Sequence, residues 1–98
     1  MLTMTNDLLN KYVEALDEEE EAFWLYKHIF KEELEKVHQA TILSIMEEEF
    51  NHYSKIASIL FPTTGEYHWS PMELAFHRVI HDKKDMMKAC LDKLKSVK

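Results

Sequence analysis

The only glycine and both prolines of the chain, Pro62, Gly65 and Pro71, fall within ten residues of one another. Everything before Pro62 and after Pro71 must therefore fold without the residues that most readily turn or break a backbone. A sheet of short strands needs many tight turns, and turn chemistry is missing over most of this chain. Long helices need few turns, and the chain is rich in the helix formers Leu, Glu, Lys, Met and Ala. An all-α fold follows. At 98 residues the chain forms one domain, residues 1–98. A domain of that length buries only about two-thirds of its unfolded surface, so a lone copy has modest stability.

Charge and composition exclude several functions. Twelve basic and 18 acidic residues leave a net charge of −6, and no stripe of Lys or Arg stands out. Nucleic acid is not an expected partner, whereas cations are. No stretch approaches the roughly 20 apolar residues that span a bilayer. Met1 to Lys11 has no basic region followed by an apolar core, so no signal peptide is expected. A single cysteine, Cys90, rules out an internal disulfide and suits a reducing cytoplasm.

The hydrophobic pattern predicts three helices. The first covers about Asn6 to Phe30, with Leu8, Leu9, Tyr12, Ala15, Leu16, Ala22, Phe23, Tyr26, Ile29 and Phe30 at three- and four-residue steps. The second covers about Glu33 to Leu60, with Ile42, Ile45, Met46, Tyr53, Ile56, Ile59 and Leu60, widened by Leu43, Phe50 and Ala57. So broad an apolar surface calls for cover from two sides, one of them a second copy of the chain. One continuous helix through both segments is the alternative, but the heptad phase slips by two residues near Lys31 to Leu34. A tight turn is expected there. An antiparallel hairpin turning at Leu34 sets Glu19 level with Glu49, because both lie fifteen residues from it. Phe61 to Trp69 reads as a loop. The third helix opens at Ser70-Pro71-Met72-Glu73, a cap, a first-turn proline and a capping-box glutamate. Its stripe is Met72, Phe76, Val79, Ile80, Met86, Met87, Cys90 and Leu94.

Three ionisable residues interrupt these stripes. Glu19 lies within the first, and Glu49 and His52 lie within the second, between Ile45 and Ile56. Residues three apart on a helix share a face, with Cβ atoms about 5–6 Å apart. A carboxylate in apolar surroundings needs strong compensation. A metal ion supplies it to Glu and His together; a buried network with the hydroxyls of Tyr12, Tyr26 or Tyr53 is the alternative. Of the six acids from Glu14 to Glu21, the five other than Glu19 read as a solvated face. A second Glu-x-x-His, Glu35 to His38, falls at the turn with no acid stripe opposite and reads as incidental. His77 and His81 flank the third stripe and read as surface residues, Cys90 as inert core, Glu73 as a cap and His68-Trp69 as loop packing.

Carboxylate and imidazole donors suit iron or manganese better than structural zinc, which recruits thiolates. Di-iron carboxylate bundles use four carboxylates and two histidines. One chain supplies half of that set, and a two-fold dimer supplies the whole. The expected product is a four-helix bundle completed by dimerisation, with a dinuclear site at its interface.

Glu18-Glu19-Glu20-Glu21-Ala22 followed by Tyr26, then Glu48-Glu49-x-x-His52, resembles the ferritin-like superfamily, most closely its short, two-helix encapsulated ferritins. The similarity covers about Val13 to Leu60. It implies a ferroxidase centre on Glu19, Glu49 and His52 of two chains, with Tyr26 beside it and Glu18 and Glu21 at a metal-entry site. It also implies an encapsulin shell as partner, although Leu91 to Lys98 shows no docking tail. The function expected is Fe(II) oxidation by O₂. The alternative is a metal-free helical homo-oligomer, a structural or interaction module whose buried polar cluster fixes register.

Overall fold

The computed structural model describes residues 5–61 and 70–96, which form three α-helices and, among the described residues, no strand. Helix α1 spans Asn6–Glu32, α2 Lys36–Leu60 and α3 Pro71–Ser96. The loop expected over Phe61 to Trp69 lies, apart from Phe61, outside the described residues.

Local chemistry accounts for the helix ends. The Thr5 hydroxyl accepts a hydrogen bond from the Leu8 amide at 3.2 Å and starts α1. At α3 the capping box is reciprocal: the Glu73 amide donates to Ser70 Oγ at 3.2 Å, and the Ser70 amide donates to Glu73 Oε1 at 3.1 Å. Glu73 is thus a cap, as expected.

The turn between α1 and α2 falls at residues 33–35, centred on Leu34, which is 92 % exposed. Helix α2 begins three residues later than the expected Glu33, because Glu33 (φ −72°, ψ 130°) and Glu35 (φ −86°, ψ 123°) are extended. Both conformations lie in the ordinary β region, so the chain reverses without glycine. Glu33 organises the reversal. Its carboxylate accepts from the Glu35 amide at 3.1 Å, and its carbonyl accepts from the Gln39 side chain at 2.7 Å. The Glu35 amide, burial and His38 act on the Glu33 carboxyl, and their net effect holds it below its usual range.

The core is a seam of seven-residue repeats. Leu16, Phe23 and Phe30 bury one face of α1; Met46, Tyr53 and Leu60, with Ile42 and Ala57, bury one face of α2; Ile80, Met87 and Leu94, with Leu91, bury one face of α3. Three polar contacts tie α3 down. Tyr53 Oη donates to the Ile80 carbonyl at 3.5 Å, Lys83 Nζ lies 3.0 Å from Glu20, and Lys95 Nζ lies 3.1 Å from Glu47. These contacts run α3 antiparallel to α2 and alongside α1.

The single apolar stripe read on each helix is divided in the structure. On α1 the buried row is Leu16, Phe23 and Phe30, while Tyr12, Ala15, Ala22 and Tyr26 are half-buried beside it and Ile29 is exposed on its flank. On α2 the half-buried Ile45 and Ile56 and the exposed Ile59 form the matching flank. On α3 Leu91 belongs to the core, whereas Met72, Val79 and Met86 are exposed.

Adjacent methionines test this division. Met87 is 0 % exposed and Met86 60 %. Met87→Ala is expected to destabilise the chain by about 2–5 kcal/mol in a urea titration. Met86→Ala should change it by no more than about 0.5 kcal/mol.

Candidate metal centre

Glu19 of α1 and Glu49 and His52 of α2 meet on the flank that α3 leaves open. Each offers one donor atom, and these atoms lie within 4.8 Å of one another. The hairpin geometry explains the meeting: the turn is centred midway between Glu19 and Glu49, so antiparallel helices bring them level. Two core-facing positions, Met46 and Tyr53, bracket Glu49 and His52 along α2, and packing of that row fixes the helix rotation.

The groups are half-covered rather than enclosed. The Glu19 side chain is 24 % exposed and that of His52 is 53 %. The sequence places them in the middle of the apolar stripes; in the single chain they occupy the lip beside the core. Among the described residues no polar or charged residue is fully buried.

Electrostatics at the lip are unbalanced. Glu19 Oε2 is shielded from solvent and has no hydrogen-bond partner. His52 Nδ1 lies 3.5 Å from it, long for a charge-assisted hydrogen bond, and attracts it only when the ring is protonated. Glu49 is pushed up to about 7, foremost by a hydrogen bond to Glu19 that favours its protonated form, then by burial and by the Glu19 charge. His52 acts in the opposite direction. Two adjacent carboxylates resist ionising together. The alternative, a tyrosine network, does not form at Tyr53, whose hydroxyl donates to the Ile80 carbonyl.

These residues suit a divalent cation. The donor set is two carboxylate oxygens and an imidazole nitrogen, and the shielded Oε2 lacks the partner that a cation would provide. Tyr26 shares the α1 flank but lies seven residues from Glu19, about 10 Å of helical rise. Glu21 is exposed. Manganese and iron are equally compatible with the donors.

The other ionisable candidates lie apart from this cluster; His77 and Cys90 are half-buried rather than surface and core. His38 turns to Glu33 at 3.4 Å rather than to Glu35, so the second Glu-x-x-His is not a chelating pair. His81 lies 3.3 Å from Asp85, and His77 stacks edge-on against Phe61. Burial and the His81 charge lower the His77 pKa. Burial is the main influence on Cys90 and holds its thiol above the usual range. Glu20 is a correction. Expected among the solvated acids, it accepts a hydrogen bond from Trp24 Nε1 at 3.3 Å and pairs with Lys83. Its four-residue spacing to Trp24 is the available signal.

No protein-family model, no curated protein and no solved structure matches this chain.

The raised Glu49 pKa sets the sign of a stability change. Below the ordinary value of 4.5 the carboxyl is protonated in both states. Between 4.5 and about 7 the unfolded chain has lost a proton that the folded chain retains. Rising pH then favours unfolding. In chelator, this contribution to stability should be complete below pH 4.5 and lost as pH rises through 7. Glu49→Gln should remove that part of the slope in thermal melts across the range. An unaltered slope would show that Glu49 titrates normally.

Proposed function

We propose that this protein is a ferritin-like di-iron carboxylate protein, oxidising Fe(II) with O₂ at a dinuclear site shared between two copies of the chain. The observation that carries the reading is the unpartnered, shielded Glu19 oxygen beside a proton-retaining Glu49 and His52 on an open apolar flank. Three donors per chain leave a cation under-coordinated. Two chains across a dyad provide four carboxylates and two imidazoles, the set of di-iron carboxylate bundles. The flank residues Tyr12, Ala15, Ala22, Tyr26 and Ile29 of α1 and Ile45, Ile56 and Ile59 of α2 provide the apolar surface for that contact.

In this reading iron is the substrate. Two Fe(II) ions lose one electron each, and one O₂ gains both together with two protons to give hydrogen peroxide. The chain's own groups hold and prepare. Glu19 and Glu49 neutralise the ions, His52 gives a neutral donor, and Glu49 must release its proton before it can ligate. Tyr26 borders the site along α1. A reducing cytoplasm suits the supply of Fe(II), and an encapsulin shell is the partner that the ferritin-like resemblance implies. The metal-free module uses the same flank but leaves the Glu19 oxygen without a partner.

Aerobic addition of Fe(II) should produce a ferric absorbance, saturating at one iron per chain in the first phase. His52→Ala and Glu49→Gln should lower its initial rate at least about tenfold, the scale of a lost metal ligand or its support. At pH 6, binding of a redox-inert divalent ion should release more protons per chain than at pH 8.5, and Glu49→Gln should reduce the difference, read in weakly buffered solution. Size measured by light scattering should fall on chelation. Unaltered size, no metal uptake and no ferric signal would leave the metal-free module as the function.

A further inference from the structure

A second feature lies at the end of the bundle where α1 finishes and α2 begins. An open groove of about 400 Å³ is floored by Phe30, Leu43 and Leu94, with Ala40 at its edge and Lys36 and Lys95 on its rim. Phe30 and Leu94 belong to the core, and Leu43 packs against it. The floor is therefore held by the three-helix seam and does not depend on the metal centre. Leu43 precedes Glu49 by six residues, about 9 Å along α2.

The groove lining differs in charge from the acidic turn beside it, where Glu32, Glu33 and Glu35 stand. The protein carries −6 overall, yet the groove rim presents two lysines and no acid. Lys36 makes no ion pair among the described residues, while Lys95 is shared with Glu47 at 3.1 Å. An apolar floor with a cationic rim selects an amphipathic anion.

Size narrows the class. A volume of 400 Å³ lies toward the lower end of the roughly 300–1,000 Å³ typical of small-molecule sites. The α2 residues of the groove run only from Lys36 to Leu43, about two turns, leaving little length for a partner helix anchored over several turns. We propose that this groove binds a single-chain alkyl carboxylate, its tail on Phe30, Leu43 and Leu94 and its head group between Lys36 and Lys95.

The test uses dodecanoate and dodecyltrimethylammonium, which share a tail and differ in charge. Each is titrated into the full chain below its micelle threshold, by calorimetry. Dodecanoate should saturate at one per chain, and the cation should bind at least about fivefold more weakly. Lys36→Glu should weaken dodecanoate about fivefold. Ala40→Trp, a change at an exposed edge position, should block the groove and abolish binding while the melting temperature is retained. If that variant fails to fold, Lys36→Glu still decides. Glu49→Gln should leave dodecanoate binding unchanged, which separates this site from the metal centre. Equal affinity for the two head groups, indifference to Lys36→Glu, or no saturable binding would overturn the proposal.

Discussion

A helical hairpin has two grooves, and one further helix can cover only one of them. Here α3 covers the groove formed by Leu16 and Phe23 of α1 with Met46 and Tyr53 of α2, and closes it with Ile80, Met87 and Leu94. The rest of the structure follows from that choice. Seven-residue spacing in all three helices lets the side chains interdigitate as coiled-coil seams do. The opposite groove keeps Ile45, Ile56 and Ile59 at least partly in contact with solvent, and keeps Glu19, Glu49 and His52 accessible. One packing decision thus builds the core and leaves the Glu19, Glu49 and His52 cluster accessible.

Neighbouring glutamates show how differently the two grooves treat a carboxylate. The side chains of Glu19 and Glu20 are similarly shielded, 24 % and 20 % exposed. Glu20 points toward α3 and has an indole donor and a lysine. Its charge is satisfied and helps to anchor the third helix. Glu19, one residue and about 100° around the helix, faces the open groove with a second carboxylate and an unpartnered oxygen. That oxygen has only the distant His52 ring, 3.5 Å away, set against its desolvation. Structural need explains Glu20 completely and leaves Glu19 unexplained. The proposed cation site would account for it.

The hairpin and its register are legible in the order of residues alone, because a phase slip and an equal spacing from Leu34 are properties of position. The capping box at Ser70 is legible for the same reason. The division of each apolar surface into a buried row and an exposed flank is not. Met86 and Met87 are chemically identical, and only the docking angle of α3 decides which of them is covered. Leu91 escapes the pattern because Cys90 fits the same stripe and stands beside it. The start of α2 is misplaced because Glu33 and Glu35 have ordinary helical propensity, and the side-chain bonds that hold the turn come from its own folded form. Glu20 is misjudged for a related reason. A run of acids reads as solvated until a third helix places Lys83 over one of them.

The open flank also carries its own brake on association. In the proposed dimer its isoleucines and tyrosines would favour contact with a second copy, since each covered apolar area lowers the free energy. A dyad through that flank would bring four carboxylates together, and their mutual repulsion in a partly desolvated setting opposes the same contact. Protonating Glu49 relieves half of that charge, which its raised pKa makes accessible near neutrality. Two divalent cations relieve all of it and also give the Glu19 oxygen a partner. Apolar attraction alone would make a dimer that ignores metal, and carboxylate repulsion alone would prevent one. Their combination on a single surface would tie assembly of the proposed site to a bound cation.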